Sequence, residues 1–261
     1  MKIESGQVRP KWLISSGSDL AATSRLICFP YGGGGASIYR GWQSALGETV
    51  DVCAVQLPGR ESRFAETACT DIDALLEAML PELLPLFDRP VFLFGYSMGA
   101  AIAYKLAAYC RVNGIAVDLR GLICCARKAP DRQPGQDALA HLTDEEFLLH
   151  IVSLDGKAES LFQNEGLRAI ALRLLRADFL LSASVVEPDD GVLDVPLTAI
   201  GGTSDPTVSL DQLDAWRRLT RGPYTRLTLP GGHFFMNDNL DDFMNILRDV
   251  VDAKREALSQ S

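Results

Sequence analysis

The sequence predicts an α/β protein whose mostly parallel central sheet is covered by helices on both faces. Short apolar runs alternate with helical patterns along most of the 261 residues, which is the order of elements in parallel sheets. The composition, 47% hydrophobic and 23% charged, is that of an ordinary globular protein. The alternation breaks from about 131 to 188, where the pattern is helical throughout. We therefore expect one domain, 1–261, with a helical insertion.

Six apolar runs are typical of strands that are buried on both faces of a sheet. They span residues 25–29, 50–56, 91–94, 121–126, 197–200 and 225–229. Helical patterns span residues 38–46, 71–87, 98–111, 210–219 and 240–258. Thr70-x-x-Asp73 predicts a capped start for the second helix, and Pro81 and Pro85 predict that it kinks or ends early.

The insertion contains two helical patterns. Thr143-x-x-Glu146 predicts the start of the first, in which Phe147 and Ile151 fall on one face. The second pattern spans residues 167–181. Because the insertion separates two strands that a short connection could join, we expect it to be a lid over an active site.

The acidic balance of the chain argues against two classes of partner. Lys and Arg number 25 against 34 Asp and Glu, which gives a net charge of −9 and a pI near 4.9. Nucleic-acid binding draws most of its affinity from a basic surface, and anionic membranes attract basic segments. We therefore expect neither nucleic acid nor membrane as a partner.

The six cysteines and three histidines predict a reduced, cytoplasmic protein without a metal. Several cysteines lie in apolar runs, where a thiol behaves as a small hydrophobic group. No C-x-x-C pair is present, and the histidines lack zinc-ligand spacing. The amino-terminal residues lack the apolar core of a secretory signal, and no apolar run approaches the roughly 18–20 residues that cross a bilayer.

The sequence around Ser97 predicts a nucleophile. Residues 95–99 read Gly-Tyr-Ser-Met-Gly, a G-x-S-x-G pattern with an apolar strand before it and a helix after it. This context is that of a nucleophile elbow, where a tight turn exposes the serine hydroxyl at a helix amino terminus. The competing interpretation is a tight strand-to-helix turn with an incidental serine.

His233 is the expected base, because a serine hydroxyl needs a group that takes its proton. It lies in Leu-Pro-Gly-Gly-His-Phe-Phe, residues 229–235, between the last strand and the final helix. An elbow-type fold places its base there, in the chain order serine, acid, histidine. His141 and His150 lie in the insertion, where a solvated or helix-face role is expected.

Asp205 is the expected acid, which fixes the tautomer of the histidine. It follows the fifth predicted strand and the loop residues 201–204, at the end of the sheet where functional groups emerge in α/β proteins. Asp238 competes for this role but is too close to His233 in sequence. Three further acids lie in the loop before that strand and also compete for the role: Asp189, Asp190 and Asp194.

Two backbone N–H groups are expected to stabilise an oxyanion. Met98 supplies one by the geometry of an elbow. The second comes from residues 29–35, Phe-Pro-Tyr-Gly-Gly-Gly-Gly, where the candidates are Tyr31 and Gly32. A nucleotide-binding loop is the competing interpretation of this run. It is disfavoured because no Gly-Lys-Ser/Thr follows, and Ser37 stands where a dinucleotide fingerprint needs Gly or Ala.

Five segments together resemble the type II thioesterases of the α/β-hydrolase superfamily, which accompany non-ribosomal peptide and polyketide synthases. They are FPYGGGGAS, QLPGRESR, FGYSMGA, GGTSDP and LPGGHFF, in the order expected for the family. The resemblance implies an α/β-hydrolase fold, with Ser97 as nucleophile, Asp205 as acid and His233 as base. Family members more often have alanine where Gly32 stands, so the second oxyanion donor stays open.

The resemblance also implies a reaction and a partner. The reaction is hydrolysis of aberrant or stalled acyl groups from the phosphopantetheine arm of carrier protein domains, an editing step. Because the substrate protein carries that arm, we expect no cofactor on this chain, and we expect a monomer. Without the resemblance, the residues indicate only a serine hydrolase that acts on an acyl carbon. A general carboxylesterase or lipase, an acyltransferase and a carrier-binding module without turnover are the competing functions.

Carrier proteins are usually acidic, so the net charge of −9 opposes docking unless a basic patch is present. Two groups of arginines are candidates for such a patch: Arg168, Arg173 and Arg176 in the insertion, and Arg217, Arg218 and Arg221 before the last strand. Arg60 and Glu61 are expected to brace a loop through ion pairing rather than to bind substrate.

Overall fold

A single seven-stranded sheet organises the protein. The computed structural model describes residues 11–15, 21–130, 141–154, 163–188 and 191–256. The strands are β1 Leu13–Ser15, β2 Ser24–Phe29, β3 Val50–Val55, β4 Val91–Tyr96, β5 Leu119–Cys125, β6 Leu197–Gly202 and β7 Tyr224–Leu229. Their order across the sheet is β1-β3-β2-β4-β5-β6-β7. Only the β1–β3 pair is antiparallel among these strands, so the predicted mostly parallel sheet is confirmed.

Helices cover both faces of the sheet, as predicted. The described residues contain α1 Trp42–Leu46, α2 Ile72–Leu83, α3 Met98–Val112, α4 Asp144–Leu154, α5 Glu165–Ala183, α6 Leu210–Asp214, α7 Phe235–Asp238 and α8 Leu240–Glu256. On one face, Phe94 of β4 packs against Trp42 of α1 and Phe243 of α8. On the other face, Leu93 belongs to the core formed with α2, α3 and α6.

The alternation of side chains along β4 shows why the strands read as continuous apolar runs. Val91 and Leu93 enter one core, and Phe92, Phe94 and Tyr96 enter the other. Each of the strands β2, β3 and β4 has six residues, and all of them are buried because helices cover each face of the sheet.

Several helix boundaries differ from the prediction. The α2 helix is capped by Asp71 rather than Thr70, because the Asp71 carboxylate accepts the Ala74 N–H at 2.9 Å. It contains Pro81 and gives way after Leu83 to a 3₁₀ turn, so the predicted early end is confirmed. The pattern at 38–46 is a 3₁₀ turn followed by α1, and Gly41, with φ +87°, separates the two.

Other boundaries differ for simpler reasons. The pattern at 210–219 is likewise α6 followed by a 3₁₀ turn. The three-residue β1 was not predicted, since so short a strand has no periodic signal. The structure follows the final helix as far as Glu256, and residues 257 and 258 of the prediction lie outside the described residues.

The predicted insertion contains α4 and α5, which follow β5 and precede β6. The Thr143–Glu146 capping interaction is present, with the Thr143 N–H donating to the Glu146 carboxylate at 2.8 Å. Apolar side chains of the two helices meet in a cluster built on Phe147, Ile151 and Leu172. Residues 131–140 and 155–162 of the predicted insertion lie outside the described residues.

All six cysteines are free thiols, and five of them are buried. Among the helices that the structure describes, none combines the length and apolar character that a membrane span requires.

A buried ion pair fixes the amino ends of two neighbouring strands. Arg25 of β2 donates from Nε to Asp51 Oδ2 of β3 at 2.9 Å, and both side chains are buried. The same guanidinium donates to the Leu86 carbonyl at 2.7 Å and to Asp88 Oδ1 at 2.6 Å. Asp88 is half exposed. Arg25 therefore has one buried and one exposed carboxylate partner.

We predict that Asp51→Ala lowers the free energy of unfolding by about 3 kcal/mol, because it leaves the Arg25 charge buried without its buried partner. Asp88→Ala is the matched control, and we expect it to cost about 1 kcal/mol or less, since exposed pairs contribute little. Urea denaturation of both variants measures the difference. An Asp88→Ala loss as large as that of Asp51→Ala would contradict this ranking.

Candidate active site

Ser97 occupies a sharp turn between the end of β4 and the start of α3. Its backbone has φ +51° and ψ −114°, a conformation that a residue with a side chain rarely adopts. A Cβ on Gly95 would lie 2.1 Å from the Gly99 carbonyl oxygen, and a Cβ on Gly99 would lie 2.0 Å from the Phe29 carbonyl oxygen. The predicted elbow is therefore present, and its glycines are sterically required.

His233 meets Ser97 from the loop that follows β7. Its Nε2 lies 3.1 Å from Ser97 Oγ, and its side chain is buried. The Tyr96 hydroxyl donates to the His233 carbonyl oxygen at 2.6 Å. Burial raises the pKa of Tyr96, so this phenol stays a neutral donor. The residue before the nucleophile thus holds the backbone of the histidine in place.

Asp205 reaches the other side of the imidazole from the loop after β6. Its Oδ2 lies 2.9 Å from His233 Nδ1. The end of β6 is in direct backbone contact with the loop after β7, since a Cβ on Gly202 would lie 2.3 Å from the Gly232 carbonyl oxygen. The Ser204 N–H also donates to the Gly231 carbonyl at 2.8 Å. These glycines therefore let the acid and the histidine approach each other.

Thr207 is a site residue that the sequence analysis missed. Its N–H and its hydroxyl both donate to Asp205 Oδ1, at 2.8 and 2.7 Å. Burial alone would raise the pKa of Asp205, but hydrogen bonds from His233 and Thr207 outweigh it and lower the pKa. Asp205 is therefore a carboxylate throughout the neutral range. The Asp-Pro-Thr spacing, which is typical of an Asx turn, is a signal that points to Thr207.

The described acids that compete with Asp205 for the role of the acid are exposed, and so is His141. Asp194 is exposed and forms ion pairs with Arg111 and Arg221. Asp238 is exposed at the end of α7, and His141 is exposed near the start of α4. Asp189 and Asp190 lie outside the described residues.

His150 has the helix-face position expected from the sequence and is partly buried. It lies on α4, with its ring centroid 5.9 Å from that of Phe179 on α5. Burial lowers the pKa of His150, and the charge of His233 lowers it further. The imidazole is therefore largely uncharged at neutral pH.

The expected oxyanion donors lie at two backbone segments. Met98 is the first residue of α3, so its N–H has no carbonyl acceptor within the helix. The loop with Tyr31 and Gly32 follows β2, and the Gly34 N–H closes a turn on the Tyr31 carbonyl at 2.9 Å. The Tyr31 ring packs edge-on against Tyr96 and Phe234. Gly32 has room for a methyl group, since a Cβ there would lie 3.6 Å from the Asp178 Cβ.

The segment after β3 braces this loop, through the predicted ion pairing at Arg60 but through hydrogen bonds at Glu61. Arg60 Nη1 donates to the Gly34 carbonyl at 3.2 Å. The Glu61 carboxylate accepts the Ser37 N–H at 3.3 Å and also the Ser37 hydroxyl. Arg60 is in turn paired with Asp178 of α5. The side chains of Arg60 and Glu61 stabilise the conformation of the loop through these contacts within the protein.

Within the described residues, no group of three or more His, Cys, Asp or Glu side chains is arranged to hold a metal ion. The chemistry that the site offers comes from its own hydroxyl, imidazole and carboxylate. Such a hydrogen-bonded series activates a serine for attack on an acyl carbon.

A family model described as thioesterase domain matches residues 24–251. A relative named linear gramicidin dehydrogenase LgrE, from Brevibacillus parabrevis, is 36% identical over 93% of this chain and 93% of its own length.

Two solved structures are similar over nearly their whole length. The type II thioesterase BorB from the borrelidin biosynthetic cluster is 35% identical, with a TM-score of 0.79, over 92% of this chain and 97% of that chain. The RedJ thioesterase from the prodiginine pathway of Streptomyces coelicolor is 33% identical, with a TM-score of 0.82, over 96% and 100%.

We predict that Gly99→Ala destabilises the protein by about 3 kcal/mol, because the added methyl group meets the Phe29 carbonyl and overpacking of this kind is costly. Gly166→Ala is the matched control. It lies in α5 with its nearest atom 3.4 Å from the new Cβ, and alanine favours a helix. Urea unfolding compares the two, and an unchanged midpoint for Gly99→Ala would show that the elbow has space.

Proposed function

Because this chain belongs to the thioesterase family, in which it resembles the type II enzymes, we propose that it is an editing thioesterase. It hydrolyses aberrant or stalled acyl groups from the phosphopantetheine arm of carrier protein domains in non-ribosomal peptide or polyketide biosynthesis. The observation that carries the proposal is the hydrogen-bonded series Ser97–His233–Asp205, with distances of 3.1 and 2.9 Å.

Acylation begins when Ser97 Oγ attacks the thioester carbonyl carbon and His233 Nε2 takes the hydroxyl proton. The carbonyl oxygen becomes an oxyanion, which accepts hydrogen bonds from the Met98 N–H and from the N–H of Tyr31 or Gly32. Collapse of this intermediate breaks the C–S bond. The proton on His233 passes to the departing sulfur, so the carrier arm leaves as a thiol and the acyl group remains on Ser97.

Deacylation repeats the sequence with water. His233 takes a proton from water, the oxygen attacks the acyl carbon, and the bond to Ser97 Oγ breaks as His233 returns the proton to the serine. A carboxylic acid leaves. Asp205 accepts the Nδ1–H of His233, which fixes the tautomer and stabilises the imidazolium in both stages. Thr207 keeps Asp205 oriented and ionised.

The proposal extends to the architecture and the setting of the enzyme. Residues 1–261 form one domain, in which the segment from about 131 to 188 is a lid over the acyl chamber. Two observations support the lid: the apolar cluster between α4 and α5, and the hydrogen bond from the Gly33 N–H in the loop after β2 to Asp178 of α5. The enzyme acts in the cytoplasm as a monomer, and it uses neither a metal nor a cofactor of its own.

The name of LgrE suggests a second activity, a dehydrogenase, which would need a nucleotide site. The glycine run after β2 does not suit one. Its Gly33 N–H is already bound to Asp178, and the run leads into a four-residue 3₁₀ turn rather than a helix whose amino terminus could bind a pyrophosphate. The residues therefore favour hydrolysis.

Mass spectrometry of acyl-loaded carrier proteins tests the function. We expect the wild type to release the acyl group from part of a panel and Ser97→Ala to release none. Asp205→Ala should lower kcat by about 10²–10⁴-fold, because the histidine loses its orienting acid.

Each competing function has its own outcome in this assay. A wild type that leaves every carrier loaded would refute the editing role. Faster turnover of simple oxygen esters would assign a carboxylesterase, and transfer to an added alcohol in place of hydrolysis would assign an acyltransferase. Nearly full activity of Asp205→Ala would remove that residue from the site.

The two arginine groups differ as candidates for carrier docking. Arg218 pairs with Glu187, Arg221 pairs with Asp194, and the exposed Arg217 lies over the Tyr224 ring. On α5, Arg176 pairs with Asp144, whereas Arg168 and Arg173 are exposed and have no ion-pair partner among the described residues. Among the described residues, the α5 surface therefore offers two exposed arginines outside any ion pair. Leu167 and Ile170, both exposed, add apolar area beside it.

We predict that Arg168→Glu/Arg173→Glu lowers kcat/KM for an acyl-carrier substrate about tenfold and leaves a small acyl thioester unaffected, because charge steers the acidic carrier. Arg217→Glu/Arg221→Glu is the control and should change the ratio of the two rates less than twofold. Added salt should shrink the effect. Equal losses on both substrates, or an equal loss in the control, would remove α5 as the docking surface.

A further inference from the structure

Asp178 is a buried acid in α5 that lies outside the series of catalytic residues. Its side chain is 0% exposed and that of its partner Arg60 is 4% exposed. Arg60 Nη2 donates to Asp178 Oδ1 at 2.7 Å, and Arg60 Nη1 donates to Oδ2 at 2.8 Å. The Gly33 N–H donates to the same Oδ2 at 2.7 Å. The carboxylate therefore joins α5, the segment after β3 and the loop after β2.

The pair controls consecutive peptide groups of this loop. Asp178 holds the N–H of Gly33, and Arg60 holds the carbonyl of Gly34 at 3.2 Å. The Gly34 N–H and the Tyr31 carbonyl hold each other at 2.9 Å. Because each peptide group is planar, these bonds orient the four peptide planes from Tyr31 to Gly35. One of these planes contains the N–H of Gly32.

The loop needs such external support. Four successive glycines have more backbone freedom than any other residues, and Gly33 has φ +79°. Leu175, one turn before Asp178, packs on the same loop, since a Cβ on Gly33 would lie 2.9 Å from its Cδ2. An oxyanion donor is effective only when it is oriented before charge develops.

We propose that Asp178 and Arg60 are positioning residues that orient the N–H of Gly32 as the second oxyanion donor, so that α5 forms part of the catalytic framework. The proposal rests on the proposed function, because the oxyanion arises in acyl transfer. It predicts that breaking the pair slows turnover more than it weakens substrate binding.

Three variants separate positioning from folding. Asp178→Asn keeps the shape and removes the charge. Arg60→Met/Asp178→Leu replaces both charges with apolar groups of similar size, which should preserve more stability than Asp178→Leu alone. Asp51→Asn breaks another buried pair at the opposite end of the sheet and is the matched control. Each is measured with a small acyl thioester, by urea unfolding, and by the affinity for a trifluoromethyl ketone thioether, which forms a tetrahedral oxyanion adduct on a serine.

We expect Asp178→Asn to lower kcat about 10–100-fold with KM changed less than threefold, and to weaken the ketone by a similar factor. The double variant Arg60→Met/Asp178→Leu should have a kcat as low as that of Asp178→Asn, even where its urea midpoint recovers. Asp51→Asn should keep kcat within twofold of the wild type. Recovery of kcat with stability in the double variant, or undiminished ketone affinity in Asp178→Asn, would overturn the proposal.

The design separates this inference from the proposed function. If the wild type does not hydrolyse thioesters, the proposed function fails. The ketone affinities of wild type and variants then still decide whether Asp178 and Arg60 orient the loop.

Discussion

Close contact of backbone with backbone at the carboxyl edge of the sheet is the constraint on which the rest of the structure depends. The turn at Ser97 exists only because Gly95 and Gly99 let α3 lie against β4 and the Phe29 carbonyl. A second contact, between Gly202 and Gly232, joins the end of β6 to the loop after β7. The side chains of Ser97, Asp205 and His233 meet because the parallel strands that precede them end at one edge of the sheet. Glycines, which have no side chain, let the ends of these strands approach each other closely.

Buried carboxylates hold the loops around the site in place. Asp205 and Asp178 are both acids with buried side chains, and each is surrounded by donors from separate segments of the chain. A carboxylate in such surroundings has few other orientations, because any rotation would leave a buried donor unsatisfied. The fold therefore uses the cost of breaking these hydrogen bonds to hold flexible loops in one arrangement.

The sequence was sufficient for the sheet, the elbow and the three residues that the structure brings together. Strands that are buried on both faces have continuous apolar sequences, which are easy to recognise. The elbow has a local G-x-S-x-G pattern around Ser97, and the strand before it and the helix after it support that interpretation. The partner of Gly33 was not predictable, because Asp178 lies 145 residues away within an ordinary amphipathic helix. Thr207 and the three-residue β1 were missed because neither has a periodic signal.

The glycine run after β2 also has a consequence for how this lineage can change. Its members meet different surroundings: a Cβ on Gly35 would lie 2.3 Å from the Glu61 carboxyl carbon, whereas one on Gly32 would make only ordinary contact with Asp178. An exchange between glycine and alanine at position 32 therefore requires no change elsewhere. A change at this single position is therefore sterically tolerated in either direction, whereas a side chain at Gly33, Gly34 or Gly35 would require its neighbours to move.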